Sequence, residues 1–177
     1  MIVHTQVMPD CHRGESAATQ SDFMAWIKKF TWEAVIAADF ERLMTWLNGQ
    51  GASSVGAIGF CWGVWALCKA SSVGVPLKCG VGPHPSTRLE GMLGGDELAM
   101  MKAVKMPVLL MPAGDDPDNV KTGGEVAAAI IAAGGATHEF PEMKHGWVGR
   151  GDLADPAVKR DVEDALGRAL SHFKLQL

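Results

Sequence analysis

Gly59-Phe60-Cys61-Trp62-Gly63 sets a cysteine between two glycines, after the apolar run Ser54-Val55-Gly56-Ala57-Ile58 and before Val64-Trp65-Ala66-Leu67-Cys68. G-x-C-x-G between a strand and a helix has the form of a nucleophile elbow, with Cys replacing the more usual Ser. In so tight a turn Gly59 and Gly63 stand where side chains would clash. The middle residue is pushed into strained backbone geometry, and its side chain projects above the sheet. The turn is also a helix N-terminus, where backbone N–H groups and the dipole favour a thiolate. The N–H of Trp62 would point at a developing oxyanion, a contact of a kind worth roughly 3–4 kcal/mol. The alternative is plain: glycine-flanked cysteines in apolar surroundings are usually small core residues. The pentapeptide alone leaves both readings standing.

A cysteine nucleophile needs a base, and the base needs an orienting acid. After an elbow of this kind the acid follows the nucleophile and the histidine comes last. Downstream, Pro107-Val-Leu-Leu-Met-Pro-Ala reads as a buried strand and is followed by Gly114-Asp115-Asp116-Pro117-Asp118. A second strand, Thr137-His-Glu-Phe-Pro-Glu-Met-Lys, is followed by His145-Gly146-Trp147. The order Cys, Asp, His is met, each at a strand's carboxyl end. Asp-rich Gly/Pro loops are usually solvated turns, so one or two of Asp115, Asp116 and Asp118 must be structural; the reading takes Asp116. His145 could be a surface histidine, but its glycine neighbour and its position favour catalysis. His4 and His138 fall on strands and His172 on a helix surface. Cys68 and Cys79 read as packing, and Cys11 is a loop thiol without an assigned purpose.

Elements that alternate in period must position these residues. Strand-like segments cover residues 2–8, 54–60, 77–82, 107–113 and 137–141, most ending at Gly or Pro. Helix-like segments cover 32–47, 63–71, 124–133 and 156–173, the last with Val162, Leu166, Ala169, Leu170 and Phe173 on its apolar face. Strands alternating with helices imply an α/β fold: a mostly parallel sheet with helices on both faces. Nothing reads as a linker or repeat, so residues 1–177 are expected to be one domain. Ligands of such sheets bind outside the carboxyl ends of the strands. The loops to inspect are therefore 10–14, 61–63, 83–86, 114–119 and 143–150.

Composition narrows the partners. The chain has 177 residues, 47% of them hydrophobic, and a formal charge of −4. That suits a globular domain with a sizeable core and argues against nucleic acid or an anionic membrane as the main partner. No apolar run reaches membrane-spanning length, and the first residues lack a secretory pattern. Four cysteines without C-x-x-C spacing read as thiols in a reducing compartment, so a cytoplasmic location is expected. No metal site is implied, because the aspartates of 115–118 lack the terminal Glu and central Gly of an EF-hand. No cofactor is implied either, since no G-x-G-x-x-G opens a helix after a first strand.

Taken together, VMPDCHRGE at 7–15, GAIGFCWG at 56–63, GPHPS at 82–86, PAGDDPDNVKTGGEV at 112–126 and EFPEMKHGWVGRGDLADPAVKRDVEDAL at 139–166 resemble the dienelactone hydrolases, within the α/β-hydrolase fold. The resemblance spans essentially the whole chain. It implies a Cys–Asp–His triad at Cys61, Asp116 and His145, whose thiolate attacks a small ester or lactone to form an acyl-enzyme that water hydrolyses. It also implies arginines that hold a substrate carboxylate, for which Arg13 and Arg150 are the candidates. His84 lines the mouth by position. Against the family pattern, the chain is expected to lack the first strands of the fold and the loop carrying the second oxyanion N–H. The strand over 55–60 should then have an open edge. That edge is covered by residues 2–8 or by another chain through self-association, or the sequence is an incomplete gene product. A non-catalytic binding or interaction protein on a shortened hydrolase scaffold is the competing expectation.

Overall fold

The computed structural model describes residues 6–177. They gather into two compact units divided between Ser53 and Ser54.

The second unit holds the sheet. Its strands are β1 (Gly56–Ile58), β2 (Cys79–Pro83), β3 (Val108–Met111) and β4 (Ala136–Thr137). All pairs are parallel, in the order β1-β2-β3-β4. Helix α3 (Trp62–Ser72) joins β1 to β2. The short helices α4 (Leu89–Met92) and α5 (Glu97–Lys102) join β2 to β3, and α6 (Glu125–Ala132) joins β3 to β4. Right-handed crossovers between neighbouring parallel strands taken in sequence order put their helices on one face of the sheet. Accordingly, α3 packs on α5 and α5 on α6. After β4 come α7 (Trp147–Arg150) and the long α8 (Pro156–Gln176). The α/β arrangement expected from the alternating pattern is therefore the one observed.

The alternation of β2 explains its odd composition. Gly80 and Gly82 face α3 so closely that an added Cβ would lie 3.0 Å from Leu67 at the first and 2.6 Å from Val64 at the second. The intervening Val81 points the other way, into a cluster with Leu109, Met111, Phe140, Trp147 and the α8 residues Val162, Ala165 and Ala169. Successive side chains of a strand face opposite sides, so helices cover both faces of this sheet. The apolar stripe of α8 differs from the one expected. Val162, Ala165 and Ala169 are buried, whereas Leu166 and Leu170 are 44% and 60% exposed. The sheet takes the small alanines because a leucine row would hold the helix too far from β2 and β3.

Strands are shorter than the apolar runs. The run over 54–60 gives only Gly56–Ile58, because Gly59 and Phe60 leave the sheet to build the turn at Cys61. The last strand stops at Thr137 and resumes as a single bridge between Ala113 and Phe140. Among the described residues, β1 pairs only with β2, so its other edge carries no strand. Ile58 and Phe60 beside that edge are 42% and 40% exposed. The strand expected over 2–8 falls partly outside the described residues, and Gln6, Val7 and Met8 are irregular.

The first unit is helical. Helix α1 (Phe23–Ile27) is capped by Asp22, whose carboxylate accepts from the Ala25 N–H at 2.9 Å. The helix expected over 32–47 begins as a π turn, Trp32–Ile36, capped by Thr31, and continues as α2 (Ala37–Gly49). Cys11, Trp26, Ile27, Phe30, Trp32, Ile36, Met44 and Leu47 are buried in this unit. Here Arg13 makes a two-pronged ion pair with Asp39, at 2.8 and 2.9 Å, and also donates to the Asp10 carbonyl.

Candidate active site

Cys61 stands at the N-cap of α3 with φ 53° and ψ −113°. A non-glycine residue rarely adopts this conformation, and it persists only where the surroundings enforce it. They do so here by close approach. A Cβ on Gly59 would land on the carbonyl of Gly63 and lie 2.8 Å from Leu67, so only glycine fits. The expectation that Gly63 is needed for the same reason is corrected, since a Cβ there would meet open space. The loop after β2 interlocks with the turn. The Cys61 N–H donates to the Pro83 carbonyl at 3.4 Å, and the Ser86 N–H donates to the Cys61 carbonyl at 3.2 Å.

The loops after β3 and β4 are joined in the same way. Gly114 N–H donates to the Met143 carbonyl at 2.9 Å, and a Cβ on Gly114 would strike Pro141. This closeness separates the three aspartates. Asp116 is buried; its Oδ2 accepts from the Ala113 N–H at 2.7 Å and its Oδ1 lies 2.6 Å from His145 Nδ1. Asp115 is exposed and accepts the backbone N–H of His145 at 2.6 Å. Asp118 lies in solvent, its side chain 98% exposed, and pairs with Lys121. Asp116 therefore holds the imidazole and Asp115 holds the main chain that carries it. The carboxylate of Asp116 assigns the proton to Nδ1, which leaves Nε2 facing the cysteine side.

A residue that the sequence reading passed over completes the arrangement. Ser86 Oγ lies 3.3 Å from Cys61 Sγ and 3.5 Å from His145 Nε2. Its only signal in the sequence is its place in GPHPS, at the carboxyl end of β2. The preceding His84 is buried, with φ 39°, and its ring meets that of His145 edge-on at 5.1 Å between centroids. The Phe60 ring lies 6.0 Å from that of His84 between centroids.

The charges follow from these contacts. Burial alone would raise the Cys61 thiol. The neighbouring His145 imidazole and its charge, the Ser86 hydroxyl and the Trp62 backbone N–H outweigh it and hold the thiol below its ordinary value. His145 is pushed up to about 9, first by the hydrogen bond to Asp116 and then by Cys61. Both shifts favour the thiolate and the imidazolium over the neutral pair. His84, by contrast, is lowered to about 4 by burial and by the neighbouring His145, so it stays neutral. The other thiols move the opposite way from Cys61. Burial takes Cys68 up to about 12 and also raises Cys79 and Cys11.

Of the two candidate arginines, Arg13 belongs to the first unit and is committed to Asp39. Arg150 ends α7 and folds back over Gly146, whose φ of 92° leaves its open side to the guanidinium. Among the described residues Arg150 makes none of the ion pairs, and its charge reaches His84.

A cysteine on a strand-to-helix turn, with histidine and buried aspartate at the ends of the next strands, is the arrangement of a Cys–His–Asp triad. The family model of the dienelactone hydrolase family matches residues 5–177. The chain belongs to the dienelactone hydrolase family. No curated protein matches it. In this dienelactone hydrolase family chain the Cys61 turn, the Asp116 loop and the His145 loop all follow parallel strands of one sheet. Among its described residues no helix is long and apolar enough to cross a membrane.

Proposed function

We propose that the chain hydrolyses small esters or lactones through an acyl-thioenzyme formed on Cys61. The observation that carries this reading is the hydrogen-bonded series from Cys61 through Ser86 and His145 to buried Asp116, built on a strained turn. The thiolate Sγ attacks the carbonyl carbon, and the carbonyl oxygen becomes an oxyanion beside the Trp62 N–H. As the C–O bond breaks, His145 Nε2 gives its proton to the leaving alkoxide, leaving a thioester and neutral imidazole. Water then attacks the thioester while Nε2 takes its proton. Collapse releases the acid and restores the thiolate and imidazolium. Asp116 keeps Nδ1 protonated throughout and stabilises each imidazolium. The free thiols suit a reducing compartment, which supports a cytoplasmic location.

The test uses the contrast among the thiols. Iodoacetamide at neutral pH should alkylate Cys61 and leave Cys11, Cys68 and Cys79 untouched, read by peptide mass spectrometry. A short-chain p-nitrophenyl ester should be turned over, with an acyl group on Cys61 trapped at low pH. A folded chain with an inert Cys61 and no turnover would instead be a binding protein on this scaffold.

Arg150 supports a preference within this substrate class. A guanidinium beside the histidine loop, without a carboxylate partner among the described residues, suits an acyl compound that bears its own carboxylate. Arg150→Gln should raise KM for a carboxylate-bearing ester about tenfold, the loss of one charge-assisted hydrogen bond. It should leave a neutral ester nearly unaffected. Equal effects on both would remove this role.

A further inference from the structure

The hydroxyl of Ser86 occupies a place that a merely structural serine need not hold. It is buried, and its Oγ lies within reach of both the nucleophile and the base, at 3.3 Å from Sγ and 3.5 Å from Nε2. Its position is fixed by main chain. The Ser86 N–H is tied to the Cys61 carbonyl, and the Ser86 carbonyl accepts from Leu89 at the start of α4. The positive φ of His84 turns the loop after β2 back toward the elbow. A hydroxyl has one proton to give and two lone pairs to receive with. Between a thiolate and an imidazolium it satisfies both at once, donating to Sγ and accepting from Nε2–H. A methyl group in the same place could do neither.

We infer that Ser86 is a positioning residue that relays the thiol proton to His145 and then bridges the resulting thiolate–imidazolium pair. In the relay the proton on Sγ passes to Oγ as the Oγ proton passes to Nε2. A thiol and a neutral imidazole become a thiolate and an imidazolium, and the hydroxyl is regenerated with its proton turned toward sulfur. The other groups around the pair cannot replace it. His84 faces His145 from the same loop but stays neutral, Asp116 is engaged with Nδ1 on the far side of the ring, and Arg150 bears on His84. The Trp62 N–H reaches the sulfur from α3 but has no lone pair with which to take a proton.

This inference rests on the thiolate reading of Cys61, and its test separates the two. The rate of Cys61 alkylation by iodoacetamide is measured against pH for the wild type, Ser86→Ala and Ser86→Thr. Loss of a hydrogen bond to a charged group should shift the Ser86→Ala profile about one unit to higher pH, or roughly tenfold less thiolate on the acid limb. Ser86→Thr keeps the hydroxyl and should restore most of the wild-type profile. If Ser86→Ala folds and its profile does not move, the relay is wrong. Equal shifts in Ser86→Ala and Ser86→Thr overturn it as well, since packing rather than the hydroxyl would then matter. Should the alanine variant fail to fold, the isosteric pair Ser86→Thr and Ser86→Val carries the same comparison. Ester turnover is read separately. A wild type that alkylates with a hydroxyl-dependent profile but turns over no ester removes the hydrolase reading while the bridge stands.

Discussion

Cys61→Ala lowers kcat/KM for a p-nitrophenyl ester by on the order of 10⁴-fold or more, to the residue left by binding and the oxyanion contact alone. This is the larger of the two main expected effects. The triad acts as a unit, so removing its nucleophile removes nearly all of what His145 and Asp116 supply. Nothing in the packing opposes the exchange, because Cys61 is only partly buried and alanine fills less space than the thiol. The strained φ of 53° is set by the Gly59 approach and the Pro83 and Ser86 main-chain bonds, none of which needs the sulfur. Thermal unfolding of the variant should therefore stay close to wild type while turnover disappears. Cys61→Ser sharpens the test. The same His145 and Asp116 face the hydroxyl, but its proton is held far more tightly than a thiol's, so no resting ion pair forms. Turnover by Cys61→Ser equal to wild type would mean that the thiolate is not the nucleophile.

Asp116→Asn is the second. The buried carboxylate holds Nδ1–H of His145 at 2.6 Å while its other oxygen takes the Ala113 N–H. An amide keeps the shape but can present its NH₂ to Nδ1, which moves the ring proton to Nε2 and removes the base. A loss of about 10⁴-fold in kcat follows from the wrong tautomer alone. The pH profile distinguishes this from unfolding. In the wild type, activity rises with pH as Cys61 becomes thiolate, which happens below the ordinary thiol range. It falls again as His145 loses its proton near 9, because the leaving group then lacks its acid. Asp116 is the foremost cause of the raised His145 value, so its removal should bring the alkaline limb down toward the ordinary histidine range. An alkaline limb that stays near 9 in Asp116→Asn would assign that limb to another group. The acid limb should move the other way, to higher pH, since a weaker imidazolium supports the thiolate less.

Both expectations depend on residues that the sequence marks unusually well, and the reason is local. The elbow needs glycine at 59 because one backbone atom set must approach another, and that demand is visible as a residue type. Acid and histidine loops need strands before them, and apolar runs with Gly and Pro at their ends show where strands stop. Asp116 over Asp115 and Asp118 was a choice that spacing alone left open. The structure separates the three by burial and by partner, because only Asp116 is tucked under the Ala113 N–H with the imidazole in reach. The short helices α4, α5 and α7 escaped the pattern because four to six residues are too few to show a period. The stripe of α8 was misread toward Leu166 and Leu170, since large apolar residues suggest burial when the distance to the sheet is unknown.

By itself, then, the sequence determined the chemistry on offer: a thiol on a glycine-bounded turn, an acid and a histidine in order after later strands, and an alternation that makes a parallel sheet. These are properties of residues near one another in the chain, and steric and periodic rules read them directly. Only tertiary structure decided which aspartate meets the imidazole and that Ser86 stands between thiol and base. It also showed that Arg13 is spent on Asp39 while Arg150 has no such partner among the described residues. Each of those rests on a few ångströms between loops 25 to 59 residues apart in sequence. Such distances are set by how strands align and loops interlock, which no run of neighbouring residues encodes alone.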